Sequence, residues 1–531
     1  MTVAHAAFDA VVVGGGHNGL VAAALLGRAG RRTLLLERRA VVGGAAVTDE
    51  LHPGYRVSTL AHAAGPFRAS LVRELGLLDE GLSFIHPEPR VFAALPDRTG
   101  LALSADPGRS ADSIRPFSSR DAARYAEFDA SLRHVSRLLA RVLEMTPPDV
   151  DRPGAKDLWS LLRVGAGFRR LGRKDAQRLL RWGPMAVADF ASEWFESEPM
   201  RAVLAARGIT GAFAGPMSAG TTANLLLHAA AGDGSGAGSA VLVRGGLGAL
   251  TQALAAAARR RGVEIRTGAA VERITLRDGR ATGVALAGGE EIAARAVVSA
   301  VDPKRTFLGL LEPTALDPDD LRRIRCYRSA GMASKVNLAL SGLPSFTAAR
   351  GLDPAVLGGR IHVGPDVAAL ERAFDDAKHG GVSERPYLDV TIPSLTDPGL
   401  APPGGHVMSV YVQYTPHALK SGTWRERRDE VGDRVLRTLE AYAPGIGSLV
   451  VARQVLCPAD LEETFGLSGG HPYHGEPALD QLFVARPLLG WARYRAPVAG
   501  LYLCSAGTHP GGGVTGGPGA NAAREILADR G

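Results

Sequence analysis

A short apolar run, Phe8 to Val13 (FDAVVV), leads directly into Gly14, Gly16 and Gly19 in the pattern G-x-G-x-x-G. The run reads as a buried parallel strand, because it is β-branched and apolar on both faces. An Ala/Leu-rich helical stretch follows from Leu20 to about Ala29, ended by Gly30, and Arg32 to Leu36 (RTLLL) reads as a second strand with Glu37 at its end. Each part has a physical task. Gly14 allows the tight turn, Gly16 lets backbone approach a pyrophosphate, and Gly19 lets the helix pack closely on the strand. The helix N-terminus stabilises phosphate charge, and Glu37 can accept hydrogen bonds from ribose hydroxyls. A lone G-x-G-x-x-G is weak in a chain with 66 glycines. Strand, glycines, helix, strand and acid in this order are a strong signal for a dinucleotide site, and the fingerprint by itself does not separate FAD from NAD.

With 531 residues the chain is too long for one compact core, so two domains are expected, one interrupting the other. The pair Gly43-Gly44, a few residues past Glu37 and Arg38, resembles the second phosphate-contacting loop of FAD enzymes in the glutathione-reductase superfamily. Amine oxidases of that group often carry an arginine right after the pair. Ala45 and Ala46 stand there instead, which argues against an amine-oxidase reading.

In mid-chain, Arg244-Gly245-Gly246-Leu247-Gly248 precedes a helix over Ala249 to Arg261, then a strand over Gly262 to Arg266. Val271 to Leu276 and Ala281 to Leu286 read as two strands of a hairpin turned at Asp278-Gly279. Ala296 to Ala300 (AVVSA) is a further buried strand. These mid-chain glycines do not make a second dinucleotide fold: Thr251 stands where a third glycine would fall, and Glu264 lies inside its strand rather than at its end. Near the C-terminus, Gly500 to Gly507 is a strand running into a glycine-rich loop that continues through Gly513 and Val514 to Gly519, with a helix from about Ala520. A helix N-terminus approached through glycines can face an anionic group.

With these segments in hand, the chain resembles the phytoene desaturase-like flavoproteins, and within them the subgroup related to pyridine nucleotide-disulfide oxidoreductase domain-containing protein 2. The resemblance rests on VVVGGGHNGLVAA (Val11 to Ala23), LLERRAVVGGAA (Leu35 to Ala46), Arg244 to Pro303, PYLDVTIPSLTDP (Pro386 to Pro398), FGLSGGHPYHGEPALDQLF (Phe465 to Phe483) and LYLCSAGTHPGGGVTGGPGANAA (Leu501 to Ala523). It runs nearly the full length and is weaker between Phe84 and Val243. It implies noncovalent FAD, and oxidation, reduction or isomerisation of polyene or other apolar substrates. The cofactor set it implies is Gly14, Gly16, Gly19, Glu37, Arg38, Gly43, Gly44, Val271 (through its backbone, at the adenine), Gly507, Gly513 and Val514. The expected fold class is α/β: a Rossmann-type FAD-binding domain of glutathione-reductase superfamily type, with an inserted mixed-sheet and helical substrate domain. The FAD domain is expected from residues 1–83, 240–305 and 490–531. The substrate domain takes 84–239 and 306–489, with 130–215 mainly helical and Gly232 to Gly238 a flexible loop.

Flavin desaturation needs a C–H bond held over the flavin and a group to take a proton. The segment Gly469 to Glu476 (GGHPYHGE) packs titratable groups into one loop. His474 and Glu476 are the leading candidates for proton transfer, with turn-capping an equal alternative; His509 is a third, and His62 a lining candidate. Gly466-Leu467-Ser468-Gly469-Gly470 matches G-x-S-x-G, but Pro472 and Gly475 interrupt the helix that a nucleophile elbow requires. His471 and His474 form HxxH with neither a helix nor a third ligand, so no metal is expected.

Three scattered cysteines with no CxxC argue against a disulfide framework, a zinc site and a dithiol centre, and fit a reducing, cytoplasmic compartment. A net charge of +7 with no recognisable motif gives no reason to invoke nucleic acid. Leu158 to Met185 mixes Trp159, Leu161, Leu162, Phe168, Leu179 and Leu180 with Arg163, Arg169, Arg170, Arg173, Lys174 and Arg178. That composition fits a basic amphipathic helix on a membrane surface as well as a solvated helix pair. The expected activity is FAD-dependent oxidation of an apolar small molecule by hydride transfer to flavin N5, with oxygen, a quinone or another electron acceptor. A flavin-dependent double-bond isomerase or reductase, and a catalytically silent flavin-binding protein, remain open.

Overall fold

The computed structural model describes residues 8–529 apart from Pro66 and Ser239. Strand β1 (Ala10–Val13) is buried along its whole length and runs into helix α1 (His17–Arg28), which returns the chain to strand β2 (Thr33–Leu36). The connection is tight because the glycines permit it. Gly14 sits at φ +102°, and a Cβ on Gly19 would lie 2.1 Å from the Gly14 carbonyl oxygen. Only a residue without a side chain lets α1 start so close to the end of β1.

β1 and β2 lie side by side in a five-stranded parallel sheet, Val11 opposite Leu34 and Val13 opposite Leu36. Across the sheet the order is Leu501–Leu503, Val297–Ser299, β1, β2, Glu264–Arg266, so its strands come from both ends and the middle of the chain. Helices Leu247–Arg259 and Gly517–Asp529 pack with α1, sharing one apolar core. A small antiparallel sheet, Val271–Arg277, Arg280–Leu286 and Glu291–Ala293, follows the third of these segments. Its first turn places Asp278 at φ +50° and Gly279 at φ +71°, the two left-handed residues that a tight two-residue hairpin demands.

The second large sheet has seven strands in the order Val450–Leu456, Ala333–Leu340, His406–Gln413, Tyr387–Thr391, Arg360–Val363, Val91–Ala94, Gly100–Leu103. One neighbouring pair, Arg360–Val363 with Val91–Ala94, is parallel, and the others are antiparallel. Every residue of Ala333–Leu340 is buried, so its polar members Lys335 and Asn337 are inside the protein. Helices Ser119–Glu144, Val187–Trp194, Glu198–Ile209 and Thr221–Ala231 pack around Tyr125, Phe128, Phe190, Trp194 and Phe195 beside this sheet. The first of these helices starts at Ser118, whose hydroxyl accepts the Asp121 N–H at 3.0 Å.

The basic segment is a helix pair, Ala155–Arg170 and Gly172–Trp182, broken at Gly172 with φ +74°. One expectation is revised. The Gly232 to Gly238 stretch is held rather than loose. The Gly236 N–H donates to Asp129 at 2.6 Å, and Arg207 donates to the Gly236 carbonyl at 2.7 Å. Among the described residues, no helix is long and apolar enough to cross a membrane.

Candidate functional site

One cleft of about 330 Å³ runs from the carboxyl end of the parallel sheet to the face of the seven-stranded sheet. Its outer end is built by the fingerprint. Gly16 is the N-cap of α1 in an extended conformation, no side chain caps the helix, and a Cβ on Gly16 would meet nothing within 4 Å. The N-terminus of α1, with its unshared backbone N–H groups, therefore opens on the cleft, where it can hold a phosphate. Gly44 lies against this turn: its Cβ would stand 3.1 Å from the Gly16 Cα. Gly43 does not line the cleft. It pairs with Gly16 in an isolated parallel bridge, and its φ of +128° and packing against Val47 and Thr251 fix the loop from behind.

Glu37 is buried, accepting the Gly15 N–H at 2.8 Å and the Arg39 N–H at 2.9 Å. Its carboxylate lines the cleft with Arg38, Arg305 and Val271. Val271 is brought there because the Glu37 carbonyl accepts the Ala269 N–H at 2.9 Å, tying the hairpin sheet to the end of β2. Arg38 donates to the Glu463 and Thr464 carbonyls at 3.0 and 2.6 Å, and burial together with the Arg305 charge lowers its basicity.

The C-terminal loop brings Gly513 and Val514 to the cleft beside His17 and His474. Gly507 lies off it, packed so closely on Pro303 that a Cβ would fall 2.3 Å from that ring. His509 is also off it: its Nε2 bonds the Val142 carbonyl at 2.9 Å, and burial brings it down to about 3. His474 lines the cleft at φ +57°, and its Nδ1 is buried with no hydrogen-bond partner. Burial lowers its basicity, opposed by the Asp302 charge. Glu476, the other leading candidate, points away from the cleft and pairs with Arg328 at 2.7 Å. The loop carrying both is tied down by Arg486, which is fully buried and donates to the Tyr473, Gly475, Glu476, Gln481 and Ala506 carbonyls. The proton-transfer pair expected from this loop is thus divided, because alternate residues of a tightly turned segment face opposite sides.

The inner end holds groups that sequence reasoning missed. Strand register aligns Lys335 with Tyr411, Tyr411 with Asp389, and Asp389 with His362, a polar row across four adjacent strands. His62 lies over this row. Its Nδ1 is 2.9 Å from the Lys335 Nζ, and its Nε2 is 3.6 Å from the Asp389 carboxylate. The loop that carries His62 is pinned by Asn337, which donates to the Thr59 carbonyl at 3.0 Å. Asp389 is held by Arg360, whose Nε is 3.1 Å from Oδ1. Burial works to raise the Asp389 carboxyl, yet the Arg360 charge, with the His62 imidazole beside it, holds it well below the usual carboxylate range. Burial brings Lys335 down to about 7, and burial with the Lys335 charge brings His62 down to about 4. Tyr473, Tyr411, His228 and Arg207 complete this end. A legible signal existed: Lys335 is the one charged residue in the strand ASKVNLAL, and Asp389 the one in YLDVT.

Among the described residues no cluster of three or more His, Cys, Asp or Glu is placed to hold a metal ion. The outer end fits a dinucleotide: an uncapped helix N-terminus, an open glycine turn and a buried carboxylate in one groove. The cleft adds unpartnered buried polar atoms, His474 Nδ1 at the Gly513 wall and His62 Nε2 and Tyr411 Oη at the inner end, which a planar polar ring or its substrate could meet.

Comparison with known proteins agrees with this geometry. The sequence signature of the family described as flavin-containing amine oxidoreductase matches residues 19–527. Pyridine nucleotide-disulfide oxidoreductase domain-containing protein 2 of Rattus norvegicus is 38% identical over 549 residues, covering 98% of this chain and 94% of the relative. The zeta-carotene-forming phytoene desaturase of Myxococcus xanthus is 31% identical over 273 residues, covering 51% of this chain and 49% of the relative. Among solved structures, a putrescine oxidase triple mutant superposes with a TM-score of 0.62 at 16% identity over 98% of each chain, which speaks for the fold alone. The signature match gives the family and leaves the substrate open; Ala45 and Ala46 still stand where an arginine would follow the glycine pair, and Arg39 donates to the Gly44 carbonyl at 3.2 Å.

Proposed function

The chain belongs to the flavin-containing amine oxidoreductase family and is an FAD-dependent oxidoreductase of amine oxidase or desaturase type, and from that premise we propose that it dehydrogenates an apolar small molecule. The carrying observation is the charge of the cleft's inner end. The carboxylate there, Asp389, is spent on Arg360, while Arg207 adds a further positive charge. A protonated amine would meet repulsion, whereas an apolar skeleton meets Leu60, Ala61, Ala63, Ala231 and Leu467. The phytoene desaturase relative, whose name declares a polyene substrate, supports the same reading.

We read residues 1–83, 240–305 and 490–531 as the FAD module, of glutathione-reductase superfamily type, and 84–239 with 306–489 as the substrate module; the parallel sheet and the hairpin sheet support the first, and the seven-stranded sheet the second. FAD held at the outer end by the α1 N-terminus, Glu37 and the Gly513 wall would supply a two-electron acceptor for a hydride from a substrate carbon, with dioxygen, a quinone or another acceptor to reoxidise it. The adjacent carbon gives up a proton as the C=C bond forms. His62 receives it at Nε2. When Lys335 is neutral, the His62 Nδ1–H donates to Nζ, so Nε2 is left with a free lone pair; when Lys335 is charged it donates to Nδ1, and Nε2 carries the hydrogen. Lys335 is thus a positioning residue that sets which His62 nitrogen is basic. His474, beside His17 at the Gly513 wall, is placed to hydrogen-bond the cofactor rather than the substrate.

The test is anaerobic. FAD-loaded protein is mixed with apolar alkenes and polyenes, or with NADH or NADPH, and its visible flavin band is followed. Bleaching by an apolar compound, with product two hydrogens lighter, is the expected result. Bleaching by NAD(P)H alone would mean a reductase or a reduced-flavin isomerase, and no bleaching by either would favour a silent flavin-binding protein.

The same reading gives the paired basic helices a use. Leu158, Trp159, Leu162 and Leu180 are each more than half exposed, on helices that also carry Arg163, Arg169, Arg170, Arg173 and Lys174. A lipid surface holding the apolar substrate would accept both. Co-sedimentation with anionic vesicles is expected for the unaltered protein. It should fall several-fold in Trp159→Ala with Leu162→Ala and in high salt; equal pelleting of both proteins would reject the contact.

A further inference from the structure

Resting on the dehydrogenase reading, one feature of the inner cleft narrows the substrate. Arg207, on helix Glu198–Ile209, lines the cleft and is only 5% exposed. Its Nη1 donates to the Ser235 and Gly236 carbonyls at 3.4 and 2.7 Å. Among the described residues its Nε and Nη2 donate to nothing, and no carboxylate forms an ion pair with it. The acids whose charge reaches it are already taken: Asp129 pairs with Arg133 and Asp233 with Arg90, each at 2.6 Å. A buried guanidinium with neutral carbonyls on one side and a cavity on the other is costly unless an anion joins it.

Other donors look into the same space without acceptors. The Tyr473 hydroxyl has no partner among the described residues, and its ring is slotted between Gly211 and Gly512, where a Cβ on either would come within 2.2 Å of it. The Tyr411 hydroxyl is buried and unpartnered. His228 Nδ1 meets the Arg207 carbonyl at 3.2 Å and so carries its hydrogen there, which ties the imidazole to the helix that presents the guanidinium.

We propose that Arg207, with the Tyr473 hydroxyl, receives the carboxylate of an otherwise apolar substrate, so that the molecule enters the cleft as an acid with its hydrocarbon part towards His62. The carboxylate anchors and does not react. It fixes which carbon reaches the redox end by its distance along the chain, as a charge-assisted contact at one end of a flexible molecule does.

The experiment reads binding rather than turnover. Calorimetric titrations of the FAD-loaded protein use decanoate, decanamide and decanol. Decanoate is expected to bind about ten- to a hundred-fold more tightly than decanamide. Arg207→Met should abolish that preference and Arg207→Lys should keep most of it, with FAD content unchanged in both. Equal affinity for the acid and the amide in the unaltered protein overturns the proposal, and needs no variant to fold. So does an undiminished preference in Arg207→Met. The two readings fail separately. Flavin bleaching by a neutral polyene with no carboxylate preference would leave the dehydrogenase and remove the anchor. A carboxylate preference without bleaching by any substrate would do the reverse.

Discussion

Gly16→Ala is expected to yield a folded protein that loses FAD, and Gly19→Ala a protein that fails to form the site at all. The two glycines are three residues apart in one motif, yet an added methyl meets opposite surroundings. At Gly16 the backbone is extended with φ −66°, which alanine adopts freely, and the new Cβ points into open cleft. Nothing in the protein has to move, so the thermal midpoint of the FAD-free form should equal that of the unaltered chain. The methyl occupies the space by which a phosphate reaches the helix N-terminus. An overpacking cost of about 1–3 kcal/mol weakens FAD about five- to more than a hundred-fold. At Gly19 the Cβ would lie 2.1 Å from the Gly14 carbonyl oxygen and 3.0 Å from the Ala300 Cβ, so α1 must back away from the sheet. FAD should be absent after purification and the midpoint lowered even without cofactor. Flavin absorbance per protein and thermal melts of stripped protein check both; full FAD retention in Gly16→Ala would remove the phosphate from this turn.

Replacing Lys335 by Met should slow flavin reduction above pH 7, where neutral Lys335 holds the His62 Nδ1–H, by about ten-fold while leaving FAD bound. In the unaltered protein the rate should rise with pH through about 7, as Lys335 loses its proton and frees His62 Nε2. In Lys335→Met that rise should vanish. Stability moves the other way, and the sign follows from linkage. The Lys335 value in the folded protein, about 7, lies below its ordinary 10.5, so the unfolded chain binds the proton more tightly. The cost of burying the charge is present in full below pH 7 and fades as pH rises towards 10.5. Lys335→Met should therefore melt higher than the unaltered protein below pH 7, with the gap closing in alkali. Stopped-flow bleaching with the substrate found in the anaerobic assay, and melts across pH, give both curves. A variant with the original rate and profile would remove Lys335 from the proton path.

The elements set by neighbours in sequence were legible: the β1–α1–β2 turn, the Asp278-Gly279 hairpin and the glycine approach to the C-terminal helix all follow from local backbone demands. The inner cleft was not. Lys335, Tyr411, Asp389 and His362 meet through the register of four strands, and no spacing along the chain encodes which residue of one strand faces which of the next. Polarity alone also misplaced Glu476, because a loop rich in titratable groups does not say which of them Arg328 will claim. What the chain did show was a charged residue inside an otherwise uncharged strand-like run, twice: Lys335 in ASKVNLAL and Asp389 in YLDVT.

The parallel sheet closes with Leu501–Leu503 beside Val297–Ser299, and helix Gly517–Asp529 presses Gly519 to within a missing side chain's width of Asn18. The groove that β1, β2 and α1 begin is therefore walled only when a segment almost five hundred residues away in sequence docks on it. Removing residues 501–519 should leave a chain that holds no FAD, even with the whole fingerprint intact.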